Sequence, residues 1–95
     1  MSKEHISQTL KERGERYGSF TENAVVSQDL KAVMRGSKNW STMSADQREA
    51  LEMVAHKIAR ILNGDPNYGD SWHDISGYAK LVEDEIVLLK EINDD

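Results

Sequence analysis

The sequence predicts an all-α fold of four helices. Three observations carry this. Apolar residues recur at three- and four-residue intervals in the longer stretches. No stretch alternates with the period of a strand. The only proline, Pro66, follows Asn63-Gly64 and breaks the longest helical pattern in two.

Residues 3–16 (KEHISQTLKERGER) are polar and weakly helical, with Ile6 and Leu10 on one side. Gly14 weakens the last turn, and Glu15-Arg16-Tyr17-Gly18 reads as a helix end and turn. Residues 21–35 form the next helix, capped by Thr21 or Ser19 and closed by Gly36. Val26, Leu30, Val33 and Met34 supply its buried side. Residues 36–43 connect onward, with Trp40 as an anchor.

The central stretch runs from Ser44 to Leu81, and nearly all the chemistry of the chain lies in it. Ser44 and Gln47 make a capping box for a helix that ends at Asn63-Gly64, with Gly64 in the left-handed position. Leu51, Val54, Ala55, Ile58, Ile61 and Leu62 form its apolar face. Asp70 caps a second helix that reaches about Ile92, and Gly77 in it permits a close helix approach. Its main face holds Trp72, Ile75, Tyr78, Ala79, Val82, Ile86 and Leu89, while Leu81, Leu88 and Ile92 point elsewhere. A helix with two apolar sides has more to bury than one partner covers, which predicts a homo-oligomer. The acidic tail, Glu91 to Asp95, reads as frayed.

A chain of 95 residues is one small domain, 1–95, and a hydrophobic share of 38% builds only a modest core. The absence of cysteine excludes disulfides and thiolate chemistry. No apolar run approaches the roughly 18 residues of a membrane span, and no signal peptide is visible. A cytoplasmic protein without membrane contact is expected. The net charge of −5 argues against general nucleic-acid binding and leaves room for a local basic pocket.

At Tyr17-Gly18, at Lys57-Ile58-Ala59-Arg60 and at Asp70-Ser71-Trp72-His73-Asp74-Ile75-Ser76-Gly77-Tyr78-Ala79 the chain resembles a family of small phage and prophage proteins of unknown function. That family is distantly similar to the MazG-like all-α nucleoside triphosphate pyrophosphohydrolases. The resemblance implies a MazG-like antiparallel helix arrangement in the host cytoplasm. It also implies acid pairs that hold Mg²⁺, which binds a triphosphate and activates water. Glu49 and Glu52 match the first pair, E-x-x-E, as catalytic and metal-binding acids. Asp70 and Asp74 stand in the place of the second pair, with a spacing longer by one.

Simple hairpin geometry sets Arg60 opposite Asp74 and leaves Glu52 about 12 Å further along the axis. Glu52 and Asp74 then share an ion only through a staggered hairpin or a second chain. Asp74 with Arg60 reads either as an interhelical salt bridge or as a metal ligand beside a phosphate clamp. Glu49 and Glu52 also read as solvated helix acids, and Asp70 as a cap. Lys57, Arg60, His73 and Arg16 are candidate phosphate-binding residues, with His56 beside them, and Tyr78 is a candidate for base stacking. Lys57 also reads as a snorkelling stem and Tyr78 as core.

Three functions follow as expectations. The first is a nucleotide-binding helical protein of phage type, a Mg²⁺-dependent nucleotide pyrophosphohydrolase if catalytic. The second binds nucleotides without cleaving them and sequesters host immune signals. The third is an acidic inhibitor that blocks a host protein.

Overall fold

The structure, a computed structural model, describes the backbone of residues 3–94 and the side chains of residues 6–93. Those residues are helical with short connections: α1 (Lys3–Tyr17), α2 (Phe20–Arg35), a 3₁₀ turn (Trp40–Thr42), α3 (Ala45–Asn63) and α4 (Gly69–Asp94). Helix α3 is central. It packs against α2 and α4 along its length and meets α1 near its C-terminal end.

Local chemistry sets the helix starts. Ser44 Oγ accepts from Gln47 N at 3.1 Å, and Gln47 Oε1 accepts from Ser44 N at 3.0 Å, so the expected capping box is formed. Such a cap contributes about 1 kcal/mol. Of the two candidate caps for α2, Ser19 is the one used, accepting from Glu22 N at 3.1 Å. Asp70 is not a cap: α4 already begins at Gly69, and the Asp70 carboxylate accepts from Tyr68 OH at 2.9 Å. Helix α4, expected to reach about Ile92, continues through Asp94, and Asp95 lies outside the described residues.

The ends of α1 and α3 cross as bare backbone. Gly18 has φ +81°, a left-handed conformation, and an added Cβ would lie 2.7 Å from the Asn63 carbonyl carbon. Gly64 is not left-handed, with φ −116°. Its glycine is required by contact instead, since a Cβ there would lie 2.7 Å from the Tyr17 Cα. Asp65 N donates to Arg16 O at 2.9 Å across the crossing. Asn23 Nδ2 donates to Tyr17 O, and Asn63 Nδ2 donates to Asn23 Oδ1 at 3.1 Å. A polar knot thus joins α1, α2 and α3, and it accounts for the burial of Asn23.

The interior is thin. Ala55 and Ala59 are the only buried apolar side chains among the described residues. Burial in α2 falls on Asn23 and Ser27, whereas Val33 of the expected apolar side is 71% exposed. In α3, Leu62 is 66% exposed. In α4, Trp72 is exposed, its Nε1 donating to Pro66 O at 2.8 Å, while Ser71 beside it is buried. Gly77 makes no close helix approach, because an added Cβ would meet nothing within 4 Å.

These contrasts predict opposite outcomes for similar substitutions. Gly18→Ala and Gly64→Ala should each lower unfolding stability by more than about 2 kcal/mol, since backbone must move. Gly77→Ala should raise it by about 0.5–1 kcal/mol through helix propensity. Urea denaturation of the three variants checks this.

Candidate functional site

A cleft of about 650 Å³ opens between α1, α2 and the C-terminal half of α3. Arg13 reaches it from α1, Lys31 from α2, and His56 and Arg60 from α3. No Asp or Glu lines it, although the chain carries 17 acids against 12 Lys and Arg. Among the described residues, no carboxylate pairs with Arg13, Lys31 or Arg60.

Tyr17 organises the arginines. The guanidinium carbons of Arg60 and Arg13 stand over its ring, 4.4 and 5.2 Å from the centroid. Each such contact contributes about 0.5–1 kcal/mol and holds a cation in place without neutralising it. Tyr17 is in turn set by the Gly18 crossing and by an edge-on contact with Tyr68, centroids 5.7 Å apart. Phe20, at the start of α2, lines the same cleft with 85% of its surface exposed. The buried Ser27 stands one helical turn before Lys31 in the wall.

His56 records the local field. Partial burial, followed by the charges of Arg60, Lys57 and Lys31, pushes its imidazole below the usual histidine value. Burial is the larger cause, and of the three cations Lys57 is paired with Asp74 while Arg60 and Lys31 line the cleft.

The other anticipated site residues are dispersed. Lys57, not Arg60, faces Asp74, with Nζ 3.0 Å from Oδ2. The Lys57 contact holds the Asp74 carboxyl below the usual carboxylate value. Arg60 stands over the Tyr17 ring instead. Glu52 pairs with Arg35 at 3.3 Å, and Glu49 is exposed. Asp70 is bonded to Tyr68, whose phenol it pushes up. Arg16 lies over the Tyr68 ring at 5.5 Å. His73 and Tyr78 share a separate shallow depression on α4 with Asp74. Among the described residues, no three His, Asp or Glu side chains come together to hold a metal ion.

Of the expected phosphate-binding residues Arg60 lies in the cleft, and so does His56, expected to line a nucleotide pocket. Arg13, Tyr17 and Lys31 stand in the same wall. A signal for the α2 contribution exists in the sequence. Asn23, Ser27 and Lys31 recur at four-residue spacing, a polar stripe on a helix that must bury something.

Fold and cleft together define a small all-helical protein with an acid-free, cation-lined cavity. The chain belongs to the DUF6378 family, a domain of unknown function, whose model matches residues 3–86. No curated protein and no solved structure matches the chain. No described helix is long and apolar enough to cross a membrane.

The lowered His56 value has a sign. The unfolded chain takes up a proton near pH 6.5, the folded chain only at lower pH. The unfolded state therefore binds more protons as pH falls, and the stability present above that value is lost. Thermal melting between pH 7 and pH 5 should show a smaller loss for His56→Gln than for the parent protein.

Proposed function

We propose that this protein binds a phosphate-bearing small molecule, a nucleotide or nucleotide-derived ligand, in the α1–α2–α3 cleft and releases it uncut. The observation that carries the reading is the unneutralised charge of Arg13, Lys31 and Arg60 in a cavity without a carboxylate. Cations with no internal partner are held at a cost that a bound anion offsets. Arginine donates to phosphate through a planar fork, and lysine adds a point charge. The cavity falls within the roughly 300–1,000 Å³ typical of small-ligand sites. Exposed Phe20 at its edge offers a face on which a base would stack.

Binding is favoured over Mg²⁺-dependent hydrolysis by the placement of the acids. In a hydrolytic MazG-like site Glu49, Glu52, Asp70 and Asp74 would gather round Mg²⁺. In this protomer Glu52 and Asp74 are engaged by Arg35 and Lys57, and Asp70 by Tyr68. Among the described residues the acids do not gather in a set that fits the ion. In the phage setting that the sequence resemblance implies, a protein of this kind would withdraw a nucleotide signal of the host.

Thermal melting with pyrophosphate, ATP and cyclic nucleotides, each in EDTA and in Mg²⁺, tests the reading. The expected result is a rise in Tm in EDTA, by mass action on the native state. Arg60→Ala and Lys31→Ala should each weaken affinity about tenfold or more, as for loss of one charge-assisted contact, and Lys38→Ala should not. Affinity should grow as pH falls, because a bound anion raises the His56 value, and chromatography should recover the ligand intact. A Tm rise that needs Mg²⁺, or recovery of cleaved ligand, would favour the hydrolase. No rise with any ligand would remove the nucleotide reading.

A further inference from the structure

The stripe of α4 that packs on α3 does not stop where α3 stops. Lys57 meets Asp74, and the two helices run in opposite directions, since Leu51 and Val54 share a groove with Ile75, Ala79 and Val82. Ala45, the first residue of α3, lies twelve before Lys57 and is therefore level with Ile86, twelve after Asp74. Residues beyond Ile86 project past α3 by roughly two turns of helix. Among them Val87, Leu88, Leu89 (50%) and Ile92 (60%) are apolar and exposed, as is Ile86 (44%) at the boundary, while Lys90, Glu91, Asn93 and Asp94 are polar.

The protomer carries too much surface for its mass. Its accessible area is 7149 Å², and the chain has a mass of 10.8 kDa. A compact protein of that mass exposes about 5,500 Å². Its radius of gyration is 16.9 Å, against about 12 Å for a compact domain of this length. No large side chain is fully buried among the described residues. An excess of about 1,600 Å² per chain, hidden twice over, is about 3,200 Å², inside the range of obligate homodimers and above that of transient pairs.

We infer that a second copy of this chain covers this face. In the pair, the projecting end of each α4 lies in the α3–α4 groove of the other. The groove, of about 460 Å³, is lined by Leu51, Val54, Ile75, Ala79 and Val82 with little polar surface. The α4 wall of the groove and the projection lie on one stripe, 75-79-82-86-89, and α3 supplies the other wall, so each chain offers both the apolar end and its receptacle. A two-fold axis satisfies both at once, which is the self-complementarity of an isologous dimer. The groove takes Gln47 to Val54 of α3, and the basic cleft takes His56 and Arg60.

Sedimentation equilibrium of the full chain should give twice 10.8 kDa and a Tm that rises with protein concentration. The Ile86→Glu, Leu89→Glu double variant should sediment as a monomer. The pairing itself is read by cross-linking, since the chain has no cysteine of its own. A mixture of the Leu51→Cys and Leu89→Cys proteins should yield more disulfide-linked pairs than either protein alone. This holds even if the double variant fails to fold. A monomer at every concentration, an assembly larger than two, or no preference for the mixed pair would overturn the inference.

Discussion

Two backbone segments pass within van der Waals contact where Gly18 leaves α1 and Gly64 leaves α3. A side chain on either would push the helices apart. The crossing matters because α1 touches the rest of the molecule mainly through α3. Arg16 O, Tyr17 O and the amides of Asn23 and Asn63 close a hydrogen-bonded ring around it. With α1 so placed, Tyr17 comes under Arg60 and Arg13 turns into the space beside α2. The cleft is a consequence of that one contact. Buried polar groups that satisfy one another define a single geometry more sharply than a handful of alanines would.

Charge is sorted along α3. Towards its C-terminal end, Arg60 and His56 face the cleft with no acid among its walls. On other sides of the same helix, Lys57 and Glu52 reach Asp74 and Arg35. An acidic protein in which the paired ions lie outside and the unpaired cations line a cavity has separated structural charge from available charge. The separation explains how a net charge of −5 coexists with a cavity whose wall carries cations and no acid. The Lys57 and Glu52 pairs tie α3 to α4 and to α2 and so help to hold the register between helices.

The helices were legible because caps and periodicity are local. Ser44 with Gln47 and the break at Gly64-Pro66 act within a few residues. Side-chain partners were less legible. Equal-rise geometry put Arg60 opposite Asp74, but Lys57 faces Asp74 and Arg60 stands over a tyrosine some forty residues earlier. No periodicity reports such a contact. Gly64 was recognised as necessary, yet for a left-handed turn and not for the backbone lying against it. Val33 and Leu62 read as core because they are apolar, while the burial went to Asn23 and Ser27. A small domain with little apolar mass closes its interior with polar networks, and composition alone does not say which polar residues join them.

The most direct test of the account is a map of where an anion binds. Backbone amide spectra of the labelled protein, titrated with pyrophosphate in EDTA, would locate it residue by residue. The account predicts saturating shifts centred on Arg13, Tyr17, Lys31, His56 and Arg60, with the segment around Glu49 and Glu52 unmoved. Shifts that appear only with Mg²⁺, and that centre on Glu49, Glu52, Asp70 and Asp74, would contradict it.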